Sequence, residues 1–269
     1  MPKDHLIACL ILIFSTLTHA QSTQPDWIEP MRKVHAGFTG QAGYVAQFGD
    51  SITYSMAFWS PMNWSEPDPY LKEDGLPKHP GKRWRDIIKG AGQEGKGPAQ
   101  GNYSGWRISD VLKAAPRVLA ERRPEVALVM VGTNDISGGS LPPDYQPGLE
   151  KLVQLCLDAH CIPVLNTIPP RRDRMSAVEA ANKVIKEVAS KNNVPLVDYC
   201  AAIIERAPDG KWDGTLVSGD GVHPSGGDNH VYTEDNLRKS GYALRNWVNF
   251  LMYREIYFKV FNHDRNWRE

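Results

Sequence analysis

The sequence lacks a net charge and a second long hydrophobic run, and it has only four cysteines. Its 269 residues hold 31 basic and 31 acidic side chains, so charge gives no reason to expect nucleic acid or an anionic membrane as a partner. Beyond the N-terminus, no stretch is long and apolar enough to cross a bilayer. Linkers, internal repeats and low-complexity tracts are also missing, which predicts a single domain.

The one long apolar run lies at the N-terminus. Lys3 precedes the apolar residues 6–17, and residues 18–20 end in Ala20 in the manner of a cleavage site. The run is too short for a membrane span, so the pattern predicts a secretory signal over residues 1–20 that is cleaved near Ala20. We therefore expect a secreted or periplasmic protein whose mature domain covers residues 21–269.

Removal of this signal takes away Cys9 and leaves an odd number of cysteines, namely Cys156, Cys161 and Cys200. An odd count in an exported chain leaves at least one thiol free or paired between molecules. Cys161 begins one predicted strand and Cys200 follows the end of the next. We expect buried thiols rather than a disulfide framework.

Strand and helix patterns alternate along the chain. Apolar runs of strand length lie at residues 44–48, 126–131, 162–168 and 194–197. Apolar side chains at helical spacing lie within residues 84–89, 108–119, 149–157, 178–188 and 244–251. Position alone suggests one more strand in the glycine-rich residues 95–101. This alternation predicts a three-layer α/β/α sandwich around a mostly parallel, flavodoxin-like sheet of about five strands.

Two segments have no regular pattern. Residues 21–43 are expected to be a polar lead-in on the surface, and residues 54–81 to be an irregular insertion rich in proline and aromatic residues.

Polar residues follow the predicted strands at the edge where carboxyl ends meet, which is where sites form in such sheets. Ser51 follows the first strand, residues 102–105 the weak second and residues 132–135 the third. Residues 220–224, DGVHP, precede the closing helix. One edge thus receives a serine, a glycine N–H, a carboxamide and a histidine with an aspartate. These are the groups that a hydrolase uses.

The proposed chemistry follows from these side chains. The Ser51 hydroxyl is a poor nucleophile until a base takes its proton, and a histidine such as His223 suits that task near neutral pH. Asp220, three residues earlier, can accept the other ring N–H and fix the tautomer. Each residue also has a simpler structural interpretation, such as a helix N-cap for Ser51 or a surface histidine for His223.

Four blocks in this order resemble those of the SGNH branch of the GDSL esterases and lipases. They are residues 48–53 (FGDSIT), 104–105 (SG), 132–135 (GTND) and 220–224 (DGVHP). The resemblance implies Ser51 as nucleophile and Asp220 and His223 as the rest of the triad. It also implies an oxyanion hole from the N–H groups of Ser51 and Gly105 and the amide of Asn134. The glycine-rich run before Gly105 departs from the family pattern.

Two other site classes are disfavoured by missing motifs. No G-x-S-x-G elbow occurs, which argues against the common α/β-hydrolase arrangement. A cluster of acidic residues and histidines near the C-terminus matches no zinc spacing; its members are Asp213, Asp220, His223, Asp228 and His230. Residues 209–214 lack the alternating carboxylates of an EF-hand loop. We expect no metal and no cofactor.

The substrate is less constrained than the reaction, because the family acts on lipids, thioesters, aryl esters and acetylated sugars. Export and aromatic residues in polar loops favour a small-molecule or polysaccharide ester, and in particular a carbohydrate O-acetylesterase. The candidate substrate-binding residues are Trp59, Trp106, Arg107 and Arg171. The alternatives are a lipid or general short-chain carboxylesterase of the lysophospholipase type, and a catalytically silent carbohydrate-binding module.

Overall fold

A parallel sheet of four strands forms the centre of the computed structural model, which describes residues 26–78 and 80–262. The strands are β1 (Gln41–Gly49), β2 (Pro124–Met130), β3 (Ile162–Asn166) and β4 (Leu196–Val197). They pair in that order, and Gly49 at the end of β1 lies opposite Met130 at the end of β2. Every residue of β2 is buried, because helices cover both faces of the sheet.

The helices form two layers around this sheet. Those in the described residues are α1 (Ile28–His35), α2 (Ser51–Tyr54), α3 (Trp84–Ile87), α4 (Ile108–Arg122), α5 (Tyr145–Asp158), α6 (Met175–Asn192), α7 (Tyr199–Arg206), α8 (Glu234–Leu237) and α9 (Gly241–Ile256). Helices α4, α5 and α6 pack in sequence on one face, and α1, α7 and α9 cover the other. A π-helix, Tyr257–Phe261, continues α9 and packs on α1. The predicted three-layer α/β class is confirmed.

Residues 95–101 do not form the additional strand that we expected. The chain makes 3₁₀ turns at Gln93–Gly95 and Pro98–Gln100 instead. Gly97 and Gly101 have φ angles of 110° and 90°. Such left-handed angles do not fit a strand, and the proline lacks the N–H that a sheet ladder needs. The described sheet therefore has four strands rather than about five.

The segment that precedes Gly105 nevertheless flanks β1. Single parallel bridges join Tyr44 to Lys89 and Gly49 to Asn102, on the edge of β1 that faces away from β2. The crossovers on either side of β1 therefore diverge at its carboxyl end. This is the switch point at which α/β sheets bind their ligands.

The expected polar lead-in is only partly correct. Within residues 26–43 the chain forms α1, whose Ile28 and Met31 are fully buried against the core. The predicted signal, residues 1–20, lies outside the described residues.

The three cysteines of the described chain, Cys156, Cys161 and Cys200, are buried thiols, as expected. Burial raises the pKa of Cys200 to about 11, so its reactive thiolate form is disfavoured.

The irregular insertion, residues 54–81, is bound to α9 through a buried cation. Arg254 is only 1% exposed, and its guanidinium forms a bidentate ion pair with Asp74 at 2.7 and 3.0 Å. It also donates to the carbonyls of Leu76 and Pro77 at 2.7 and 2.9 Å. One side chain therefore satisfies backbone groups that the irregular segment leaves without partners.

Trp84 forms the centre of the aromatic cluster between this insertion and α9. Its ring contacts those of Phe250 and Tyr253, with centroids 5.2 and 6.2 Å apart. The indole N–H donates to Asp68 Oδ1 at 2.8 Å and to the Lys78 carbonyl at 3.0 Å. The residue therefore contributes both apolar burial and polar tethers.

Replacement of Trp84 by alanine should lower the free energy of unfolding by about 3–5 kcal/mol, since it leaves a large cavity and removes both hydrogen bonds of the indole N–H. Trp84→Phe should lose less, because a ring remains. Urea unfolding followed by circular dichroism measures both. Trp64→Ala, at a residue that is 51% exposed, is the control and should stay close to wild type.

Candidate active site

Ser51 is presented by the sharp turn between β1 and α2. The turn needs glycine at position 49, because a Cβ there would lie 2.2 Å from the Met130 carbonyl of the neighbouring strand. Asp50 caps α2, with its Oδ1 accepting the Ile52 N–H at 3.0 Å. Ser51 is thus the first residue of a helical turn at the carboxyl edge of the sheet.

Ser51, His223 and Asp220 form a continuous hydrogen-bonded chain. Ser51 Oγ lies 2.9 Å from His223 Nε2, and His223 Nδ1 lies 2.6 Å from Asp220 Oδ2. A carboxylate accepts only, so the proton on the imidazole sits on Nδ1 and Nε2 is left to accept from the serine hydroxyl. The structure therefore brings together the three residues predicted as a triad.

Asp220 is held in place by three further donors to its other oxygen. The Ser218 hydroxyl donates to Oδ1 at 2.8 Å, and the N–H groups of Val222 and His223 donate at 2.8 and 2.9 Å. Partial burial acts to raise the pKa of Asp220, but these hydrogen bonds and the His223 ring hold it well below its ordinary value. The carboxylate is therefore ionised at neutral pH and can stabilise an imidazolium.

The loop that carries Asp220 and His223 is fastened by Arg172. Its guanidinium donates to both oxygens of Asp213 at 2.6 and 2.7 Å and to the Gly219 carbonyl at 3.1 Å. Its backbone N–H donates to the Gly221 carbonyl at 2.8 Å. Arg172 therefore links the segment after β3 to the loop that carries Asp220 and His223.

Gly105 and Asn134 lie on two loops that are joined to each other. Asn134 Nδ2 donates to the carbonyl of Trp106, the residue after Gly105, at 3.0 Å. Gly105 is exposed and has a φ of 79°, a conformation that favours glycine. Within the described chain, the N–H groups of Ser51 and Gly105 have no hydrogen-bond acceptor. Both remain available to an oxyanion.

Asp135 also joins the two loops that carry Gly105 and Asn134. Its carboxylate is 8% exposed and accepts the Ile108 N–H at the start of α4, at 3.1 and 3.3 Å. Burial raises the pKa of Asp135 to about 6. Burial also raises the pKa of Asp50, at the cap of α2, to about 6.

The sequence analysis proposed Trp59 as one of four substrate-binding residues, and this prediction is wrong. It is completely buried and packs on Tyr253 with ring centroids 6.2 Å apart, so it belongs to the core. Its indole faces α9 because residues 54–81 fold onto that helix.

The other three candidates lie on loops at the carboxyl edge of the sheet. Trp106 is half-buried and Arg107 is exposed. Arg171 donates to the Thr133 carbonyl and, at 3.1 Å, to the Ser137 hydroxyl. It thereby braces the loop that carries Asn134.

An aromatic pair near Ser51 lies outside the four substrate-binding residues that the sequence analysis selected. Tyr54 is the last residue of α2, and its ring centroid lies 5.0 Å from that of Tyr103, which is 41% exposed. Tyr103 in turn lies 6.4 Å from the Trp106 ring. Tyr103 lies only two residues before Gly105, and this short spacing in the sequence could have indicated that its ring lies near the site.

None of the helices within residues 26–78 and 80–262 has the length and apolar character of a membrane span. No three or more His, Cys, Asp or Glu side chains in the same ranges are grouped so as to hold a metal ion. Asp213, one of the clustered acids, is instead paired with Arg172.

The chain belongs to the GDSL-like lipase/acylhydrolase family and is a serine ester hydrolase, since residues 48–226 match the model of that family. No curated protein sequence matches the chain.

Solved structures with the same fold have low sequence identity. A lipase/acylhydrolase from Enterococcus faecalis is 18% identical, with 78% of this chain and 95% of that chain covered and a TM-score of 0.52. The psychrotrophic esterase EstA from Pseudoalteromonas sp. is 16% identical, with 79% and 97% covered and a TM-score of 0.52. The acetyl xylan esterase AlAXEase is 18% identical, with 77% and 98% covered and a TM-score of 0.51. These structures are similar to this chain in fold.

The pKa of Asp50 predicts a pH dependence of stability. Because burial raises the folded-state pKa from an ordinary 3.8 to about 6, the folded protein holds this proton more tightly than the unfolded chain. The associated stability is complete below the ordinary pKa and is lost as the pH rises through about 6. Asp50→Asn keeps an acceptor for the Ile52 N–H and removes this titration.

We therefore expect the urea midpoint of Asp50→Asn to fall less than that of wild type between pH 4 and pH 7 (roughly the span from the unfolded to above the folded pKa). Equal slopes for the two proteins would contradict the assignment of a protonated, buried Asp50 at low pH.

Proposed function

We propose that this protein is an exported carbohydrate esterase that removes acetyl groups through a Ser51 acyl-enzyme. The observation that carries the proposal is the hydrogen-bonded chain from Ser51 Oγ through His223 to Asp220, with links of 2.9 and 2.6 Å. Membership of an ester-hydrolysing family makes that chain of groups a candidate catalytic triad.

The first step is attack by Ser51 Oγ on the ester carbonyl carbon. His223 Nε2 takes the hydroxyl proton as the new C–O bond forms, and Asp220 stabilises the resulting imidazolium. The carbonyl oxygen becomes an oxyanion, for which the N–H groups of Ser51 and Gly105 and the amide of Asn134 are the proposed donors. One such donor is typically worth about 3 kcal/mol of the barrier.

The second step releases the acid. Collapse of the tetrahedral intermediate breaks the bond to the alcohol, which leaves with the proton from His223. A water molecule then attacks the acyl-enzyme, with His223 again taking the proton, and Ser51 is regenerated as the acid departs.

A carbohydrate alcohol is supported by the aromatic pair next to the nucleophile. The exposed ring of Tyr103 and the adjacent ring of Tyr54 offer apolar surface with hydroxyl groups, which suits the mixed apolar and polar faces of a sugar. A fold neighbour, AlAXEase, is an acetyl xylan esterase by name. The predicted signal over residues 1–20 agrees with a polymer substrate outside the cell.

A matched substrate panel tests the acyl group and the alcohol. Acid release is measured from acetylated xylan, acetylated pectin and p-nitrophenyl esters from C2 to C12 (roughly acetyl to lauroyl chains, a range that separates small from extended acyl pockets). We expect acetate to be released preferentially, and from a polysaccharide. Preference for long acyl chains would instead support the lipid-type carboxylesterase.

Removal of the nucleophile should abolish hydrolysis. We expect Ser51→Ala to lower kcat by a factor of roughly 10⁴ or more, and Asp220→Asn by about 10³, because the first deletes the attacking atom and the second mispositions the His223 proton. The control is Ser190→Ala, at an exposed serine of α6, which should retain wild-type activity. Full activity in Ser51→Ala would rule out the Ser51 acyl-enzyme. No labelling of wild type by a serine-directed phosphonate, together with no ester hydrolysis, would instead favour a catalytically silent carbohydrate-binding module.

A further inference from the structure

The helix that carries Ser51 is too short to hold itself in place. Helix α2 has four residues, and a single helical turn leaves its last carbonyl groups without partners in the helix. Two cations bind those carbonyls from outside. Arg245 Nη1 donates to Ile52 O at 2.8 Å, and Lys96 Nζ donates to Thr53 O at 2.7 Å.

Arg245 reaches α2 from the middle of α9. It is 1% exposed, and its Nη2 also donates to Thr53 Oγ1 at 3.0 Å. The guanidinium lies over the Phe58 ring, 3.5 Å from the centroid. Burial lowers the pKa of Arg245 only to about 10, so the side chain is charged at neutral pH.

Lys96 reaches the same turn from the segment beside β1. It is 6% exposed, and its Nζ also donates to Gln47 Oε1 at 2.7 Å and to Phe58 O at 3.0 Å. Three acceptors around one nitrogen match the three hydrogens of an ammonium group. This geometry specifies the charged form, although burial lowers the pKa of Lys96 well below its ordinary value.

A purely structural role does not explain this arrangement well. Buried charge is costly, and well-packed apolar side chains usually stabilise a core as much or more. The described hydrogen-bond partners of Arg245 and Lys96 are neutral oxygens, so neither cation is neutralised by a direct carboxylate partner. Their position matches the helix dipole, because they bind the C-terminal carbonyls of α2 while the carboxyl of Asp50 caps its N-terminus.

We propose that Arg245 and Lys96 are positioning residues for the nucleophile. By binding the C-terminal carbonyls of α2, they keep Ser51 Oγ in line with His223 Nε2 and direct the Ser51 N–H toward the oxyanion. The proposal rests on the role of Ser51 proposed above. Because a misplacement of about 1 Å can lower a rate by about a hundredfold, loss of either cation should reduce kcat more than it affects substrate binding.

The test compares Arg245→Met and Lys96→Met with a matched control, Arg254→Met. Arg254 is the same residue type on the same helix and is equally buried, but it binds residues 74–77 rather than α2. Kinetics on p-nitrophenyl acetate are measured well below the melting temperature, and the folded, active fraction is counted by phosphonate labelling. We expect the two α2-facing variants to lose about tenfold to a hundredfold in kcat with KM within about twofold.

Arg254→Met should lower the melting temperature and retain the wild-type kcat. Arg245→Lys keeps the charge but loses the two-pronged donor, so it should recover part of the loss. If Arg245→Met does not fold, Arg245→Lys and Lys96→Met decide the question by the same kinetic criterion.

Wild-type kcat in the folded α2-facing variants, or an equal loss in Arg254→Met, would overturn the positioning role. Ser51→Ala in the same assay separates this failure from failure of the proposed function. An active Ser51→Ala would refute the acyl-enzyme itself, whereas an inactive Ser51→Ala beside unaffected cation variants would refute only the positioning role.

Discussion

The close approach of β1 to β2 at Gly49 is the constraint on which the site depends. With no side chain at this position, the end of β1 lies against the Met130 carbonyl, and the chain can turn immediately into α2. Ser51 then lies at the carboxyl edge of the sheet, where the loops after β2 and β3 also begin. Parallel pairing brings these loops together without any contact between their side chains being required.

Buried polar side chains of helix α9 hold the segments next to this edge of the sheet. Asn246 binds the backbone of Ala57 and Trp59, Arg254 binds the far end of the insertion, and Arg245 binds α2. Asn246 and Arg254 thus satisfy backbone groups of the irregular insertion, and Arg245 satisfies a carbonyl of helix α2. Helix α9 is buried on nearly all sides and connects the insertion with helix α2.

Much of the fold and the proposed site was predictable from local patterns. The length and composition of the apolar runs predict β1, β2 and β3, and the polar residues that follow these runs indicate the carboxyl edge of the sheet. The segment 95–101 was not predictable from position, because left-handed glycines and a proline prevent a ladder there. Trp59 was misassigned because its sequence neighbourhood does not reveal that the insertion folds inward onto α9.

The sequence by itself determined the α/β class and the family, and it predicted the triad that we propose from Ser51, Asp220 and His223, since each of these depends on short blocks of neighbouring residues. The tertiary structure alone decided which aromatic residues are exposed and which cations reach helix α2. Arg245 and Ile52 are 193 positions apart, and no local pattern encodes a hydrogen bond across that separation. Such contacts follow from how layers pack on the sheet, which periodicity within one element does not specify.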